Sequence, residues 1–221
     1  MISTFSNNCR SSELYMTFTF KTLLAAATLT LANSAIAIPF MSGDFNAGES
    51  CTSYLDTSCN LQIINAHPLW QPSSSTGGAQ WVSISDSGQP GSDSIPNDSS
   101  TPYMTVTETF NFSVASFLSF DIWADDTAEV WLDGVSLFSP NKTQNICANG
   151  TIGCEPLEFE HFDWALSAGE HTISFDVYQI GGGPAGLLYT GTLSLIPEPG
   201  SLALFGLGLA GLGFARKRQS K

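Results

Sequence analysis

Hydrophobic residues recur along this chain in three different ways. Near the start, residues 22–32 form a short apolar stretch rich in Leu and Ala, and near the end residues 201–215 form a second apolar run rich in Gly and Leu. Between them the dominant rhythm is alternation with period two, the mark of half-buried strands. It is clearest at 103–112, 117–123, 171–178 and 187–195, with shorter candidates at 60–64 and 80–85. In 117–123 the apolar residues Leu118, Phe120 and Ile122 share one face, and Phe117, Ser119, Asp121 and Trp123 share the other. The segments 128–132 and 135–138 flank Asp133-Gly134, a dipeptide suited to a tight hairpin turn. About eight strands separated by Gly, Ser and Pro turns predict an all-β fold, a jelly-roll β-sandwich. Residues 73–78 and 85–101 read as low-complexity surface loops.

Charge sharpens this division. Of the twenty acids only Glu13 and Glu198 lie outside 38–195, and of the seven basic residues only Lys142 lies inside it, so eighteen carboxylates face one lysine and the middle carries a net −17. Such a surface repels phosphate backbones, which excludes a nucleic-acid partner. It suits cations, cationic partners, neutral glycans or solubility alone.

The two ends read as targeting signals. Met16, read as the start, opens a short n-region holding Lys21; the apolar stretch follows, and Ala35-Ile-Ala37 supplies the small-x-small pattern read by signal peptidase. Cleavage is expected after Ala37, making 1–37 a signal peptide for the Sec route. At the other end, Pro197-Glu198-Pro199 stands before the apolar run, and Arg216-Lys217-Arg218 after it. The two prolines hold the peptide extended. The run, read as a single transmembrane helix over 201–215, spans about 22 Å at 1.5 Å per residue, short for a hydrocarbon core. The basic tail stays cytoplasmic by the positive-inside rule. An ordinary permanent anchor is the simpler alternative, whereas a GPI signal does not end in a basic cluster.

This order over 196–221 strongly resembles the PEP-CTERM sorting domain of Gram-negative bacteria. The resemblance implies that Pro197, Glu198 and Pro199 are recognised by exosortase, a membrane-embedded transpeptidase that cuts near the motif. It also implies an anchored precursor, and then a place on the cell surface or in an extracellular biofilm matrix beside exopolysaccharide.

Cys51, Cys59, Cys147 and Cys154 form two close pairs in a segment expected to be exported, which suggests disulfides. Of the three pairings open to four cysteines the two local ones are favoured. Zinc is the rival, but its cysteines usually stand closer together and no His adjoins these pairs.

Candidate chemistry in 38–195 is of three kinds. Asp121, Asp125, Asp126 and Asp133, with Glu129, crowd one strand–turn–strand unit and offer hard oxygens to calcium; turn chemistry accounts for the same acids. Trp70, Trp81, Trp123 and Trp131, with Trp164, could face sugar rings or pack the core. Catalysis finds no nucleophile elbow, zincin helix or phosphate loop, and His67, His161 and His171 lack metal-ligand spacing. The stretches 120–134 and 169–178 are similar to galactose-binding-like jelly rolls of bacterial surface proteins. The resulting expectation is a non-catalytic surface or matrix component with glycan affinity and no cofactor other than calcium. The alternative is a glycan-active hydrolase displayed at the cell surface.

Overall fold

The computed structural model describes residues 37–45, 48–142, 147 and 151–196, with Gly206, Gly208, Leu209, Gly211 and Arg216. The expected signal peptide up to 36, including Ala35, lies outside the described residues, as do Pro197, Glu198, Pro199, Lys217, Arg218 and most of the expected helix at 201–215. Among the described residues no helix is long and apolar enough to cross a membrane.

Residues 36–196 form one compact unit. Its strands are β1 (Ala37–Met41), β2 (Glu49–Ser53), β3 (Gln62–Ile63), β4 (Val82–Ser83), β5 (Met104–Phe112), β6 (Ser116–Asp125), β7 (Thr127–Leu132), β8 (Val135–Phe138), β9 (Glu160–Leu166), β10 (Gly169–Tyr178) and β11 (Gly186–Leu195). They make two antiparallel sheets. One has the order β3-β4-β11-β6-β9, with β1 also on β11, and the other β2-β5-β10-β7-β8. The quartets β4-β11-β6-β9 and β5-β10-β7-β8 are the two halves of an eight-stranded jelly roll, in which each strand from β4 to β11 crosses to the other sheet except at the β7–β8 hairpin.

The alternation read from the sequence sets the faces. Leu118, Phe120, Ile122 and Ala124 of β6 point inward and meet Val106 of β5, Val130 of β7 and Ile173, Phe175 and Val177 of β10. Phe40 sits at the centre of this core, 4.9 Å from the Tyr189 ring and edge-on to Phe120 at 5.3 Å. The opposite side chains of the first sheet, Trp81, Trp123 and Leu188, build a second, smaller core with Ile64, Trp70, Ala79 and Cys154. The first sheet is therefore buried on both faces at one end. There it is covered by loops instead of a partner sheet.

Three strands were not anticipated. β1 begins at Ala37, at the junction expected for cleavage. β2 reads Glu-Ser-Cys-Thr-Ser, with only Cys51 buried, and is held by its register on β5 and by a Cys51–Cys59 disulfide. β9 is an edge strand with Glu160, His161, Asp163 and Trp164 on show, so it lacks a clean apolar face. The favoured local pairing of the other cysteines, Cys147–Cys154, is also present. The segment 85–101 is less superficial than its composition suggests. Ser87 and Ile95 are buried, and Ile95 bridges Gly183. At the β7–β8 turn Asp133 and Gly134 both have positive φ, 50° and 75°, as a two-residue hairpin turn of this hand requires.

Candidate functional site

Where the loops cover the outer face of the first sheet they leave a cleft of about 260 Å³. Its walls come from four places: His67, Leu69 and Trp70 ahead of β4; Asp125 and Asp126 at the β6–β7 turn; the Cys147–Cys154 disulfide with Glu155; and Gly182 and Pro184 between β10 and β11. The floor is rigid. Trp70 packs on Trp81 with ring centroids 4.4 Å apart, the Trp81 indole donates to the Gln71 carbonyl at 2.8 Å, and the Gln71 N–H donates to the Cys154 carbonyl at 2.7 Å. One loop is thereby stitched to the next, and the disulfide closes the second on itself.

The chemistry of the cleft is carboxylate chemistry. Asp125 is 6% exposed and Asp126 2% exposed, at the end of β6 where the alternation that buries Trp123 runs into a turn. Asp126 is held from behind: its Oδ2 accepts the N–H groups of Ile180 and Gly181 at 2.7 and 2.6 Å. Asp125 has poorer company. Burial, then the charge of Asp126 and a hydrogen bond shared with it, push its carboxyl up to about 9, against a smaller opposing effect from the Trp70 indole hydrogen bond. At neutral pH Asp125 is therefore an acid that keeps its proton for want of a cation.

The other acids expected to share a site with this pair stand apart from it. Asp121, on the outer face of β6, is 2.6 Å from Nδ1 of His161 on β9. Asp133, at the far end of β7, is 2.7 Å from Nδ1 of His171 and accepts the Thr172 N–H at 2.9 Å. Each histidine is raised by the hydrogen bond to its aspartate, and Asp133 is lowered by His171 and Thr172 despite a partial burial cost. Glu129 takes Lys142 at 3.4 Å, whose ammonium also lies 3.7 Å above the Tyr178 ring. The expectation of one four-aspartate calcium unit is corrected accordingly: Asp121 lies four positions back along β6 on the same face as Asp125, about 13 Å away at strand spacing, and the length of β7 carries Asp133 to the opposite end, so the acids fall in three places.

The tryptophans divide similarly. Trp70, Trp81 and Trp123 are 2%, 0% and 4% exposed and belong to the second core, so they are not open platforms for a sugar ring. Trp131 lies on the outer face of the second sheet, where Asp176 accepts its indole N–H at 3.0 Å and the Thr105 hydroxyl at 2.6 Å. Trp164 on edge strand β9 is the most exposed of the five.

A second acidic group was missed in the sequence. Asp44, Glu49 and Glu108 bring carboxylate oxygens within 4.8 Å of one another. Glu108 faces Glu49 across the β2–β5 register, and Tyr189 donates to Glu108 at 2.5 Å. Burial, then the charges of Glu108 and Asp44, raise Glu49 to about 7. The signal was legible: in 103–112 the alternation puts Glu108 on the same face as Met104, Val106 and Phe112, inside the sandwich.

Among curated proteins none matches this chain. Solved structures resemble it at a distance. A family 35 carbohydrate-binding module (CBM35) from Paenibacillus barcinonensis is 12% identical, with 70% of this chain and 97% of that one covered, at a TM-score of 0.34. A family 35 module from an environmental isolate gives 13%, 72%, 99% and 0.36, and one from Clostridium thermocellum 12%, 72%, 98% and 0.33. At the other end of the chain, residues 195–218 match the PEP-CTERM protein-sorting motif, the mark of an exported protein sorted at the membrane.

Proposed function

We propose that this protein is a surface or extracellular-matrix component of a Gram-negative bacterium. It is exported by the Sec route, processed by exosortase at Pro197-Glu198-Pro199, and binds extracellular polysaccharide through its jelly roll without cleaving it. The observation that carries this reading is the presence, in one chain, of a sorting motif at 195–218 and a disulfide-bearing jelly roll whose loops form a cleft walled in part by acids. Signal peptidase removes 1–37 and exosortase acts on the tail. The mature chain is held outside the cell, where oxidised cysteines persist.

The cleft supports binding over hydrolysis. A glycosidase places two carboxyls across the scissile bond, roughly 5 Å apart for retention and 6.5–9.5 Å for inversion. Asp125 and Asp126 are neighbours in sequence that hydrogen-bond to one another, and Asp126 is further occupied by two backbone N–H groups. No bond can be placed between them. The test is retention of the full chain on immobilised exopolysaccharide of its host, with a parallel assay for reducing ends. Retention without new reducing ends is expected. Release of reducing ends, abolished by an Asp or Glu to amide change, would make the protein a hydrolase. The intact mass of the chain recovered from its host tests the sorting: a mature chain still ending at Lys221 would mean that the tail is a plain anchor.

A further inference from the structure

Resting on the glycan-binding reading above, we propose that the cleft at Asp125 and Asp126 takes the ammonium group of an amino sugar, so that the glycan bound there carries free, protonated amines in place of N-acetyl or uronic acid groups. Three carboxyls line the cleft, Asp125, Asp126 and Glu155, and His67 is the basic side chain among its walls. Lys142, the one lysine of 38–195, is committed to Glu129 and the Tyr178 ring. An anionic sugar would have to enter against these acids and against the charge of the whole domain. A neutral sugar would leave Asp125 as it is, desolvated and crowded. An ammonium group brings three donors and a positive charge to a place where carboxyl oxygens have been taken out of water.

The walls restrict the ligand further. Trp70 is too buried to serve as a stacking platform; its indole N–H instead steers Asp125. Gly182, with φ of 77°, puts no side chain into the cleft from the β10–β11 side, where Pro184 supplies the side chain. A cleft of about 260 Å³ has room for one ring of a polymer, not for several.

Entry of the ammonium couples to a proton. The neutral Asp125 carboxyl gives up its proton as the cation arrives, so one carboxylic acid and one ammonium become an ion pair plus a proton released to solvent. The groups that face Asp125 in this exchange are Asp126 from the β6–β7 turn, Trp70 and His67 ahead of β4, Glu155 beside the disulfide and the buried Tyr103 phenol, which feels both aspartates. The pressure on Asp125 comes first from burial and then from Asp126, and an incoming positive charge relieves it.

Calorimetric titration of the full chain in detergent with a deacetylated β-1,4-glucosamine oligomer tests the proposal. Its N-acetylated counterpart, a glucose oligomer and a lysine peptide serve as comparisons, each run in two buffers of different ionisation enthalpy at pH 6. The glucosamine oligomer is expected to bind about tenfold or more tightly than the acetylated and glucose oligomers, with close to one proton released per site. Asp125→Asn should abolish the proton release and weaken binding about tenfold. Glu155→Gln, at a half-buried residue hydrogen-bonded through its backbone to Glu158, should weaken binding several-fold, and Glu170→Gln, exposed on β10, should leave it unchanged. Equal binding of the acetylated or glucose oligomer, insensitive to Asp125→Asn, would overturn the amine assignment and leave glycan binding standing. Equal capture of the lysine peptide would reduce the effect to general attraction by a polyanion and overturn the assignment as well. Failure of every oligomer, together with no retention on host exopolysaccharide, would overturn the glycan reading itself.

Discussion

The two ends of strand β7 carry aspartates of the same chemistry in opposite circumstances. At one end Asp133 is turned to the surface, receives His171 and the Thr172 N–H, and has its carboxylate stabilised. At the other end Asp125 and Asp126 are buried together, and Asp125 holds its proton up to about 9. The first is a satisfied turn: it fixes a hairpin and asks for nothing more. The second is a pair of acids placed where water is scarce, in the wall of a cleft, with one of them lacking a charge partner. Buried polar groups that are not fully compensated mark the places where a fold has been shaped for something other than its own stability.

The largest effect that can be brought to bear on this contrast acts beneath the cleft. Trp81→Ala removes a fully buried indole and its hydrogen bond to Gln71, and should cost about 3–5 kcal/mol in denaturant unfolding. A cost under about 1 kcal/mol would mean that the loop layer is not packed as described.

Next in size is the response to pH. Glu49, Asp125, His161 and His171 all have folded-state affinities for the proton above their ordinary values. A group whose pKa is raised on folding contributes stability that is complete below its unfolded pKa and is lost as pH climbs through its folded pKa. For Glu49 that loss runs from about 4.5 to about 7, and for Asp125 from 3.8 to about 9. The histidines lose theirs as pH climbs from their ordinary value of 6.5 through their raised folded-state values. The domain should therefore melt lower at pH 9 than at pH 5.5, by on the order of 5 °C. Asp125→Asn should flatten the part of this slope above neutrality. A melting temperature that rises over the same range would contradict the burial of both acidic groups. Asp133 acts in the other direction and elsewhere on the scale: its pKa is depressed, so its contribution is present above 3.8 and fades only as pH falls further.

The smallest effect belongs to the satisfied end. Asp133→Asn keeps the turn residue but loses the charge on His171, and should cost about 1 kcal/mol near pH 6, less as His171 deprotonates. A pH-independent cost would show that the turn, and not the pair, is what Asp133 provides.

Much of the fold was legible in the sequence. Alternation located β5, β6, β7, β8, β10 and β11 and assigned the faces of β6, because a half-buried strand has to display its burial pattern. Asp133-Gly134 announced its own turn. The strands that escaped notice are those whose place is set from outside: β1 by its pairing with β11, β2 by a disulfide and a register, β9 by its position at an edge. The candidate site was legible only in part. Asp125, Asp126 and Trp70 do line one cleft, yet Asp121 and Asp133, close to them in sequence, do not join them, since Asp121 lies four positions back along β6 and six residues of β7 separate its ends. Glu155 and His67 arrive from loops far apart in the chain, and nothing local in the sequence foretells their meeting. Glu108 was legible too, since the period of 103–112 places it on the buried face with Met104, Val106 and Phe112.

The indole N–H signals of the protein offer the most direct test of where a glycan binds. Trp70 stands in the cleft wall, with its N–H on Asp125, and Trp131 lies on the outer face of the second sheet, with its N–H on Asp176. Titrating the labelled full chain with the polysaccharide it retains should shift the Trp70 indole resonance and the Gly182 amide while leaving the Trp131 indole in place. A shift confined to Trp131, with Trp70 unmoved, would place the glycan on the open sheet face and contradict the cleft as the binding site.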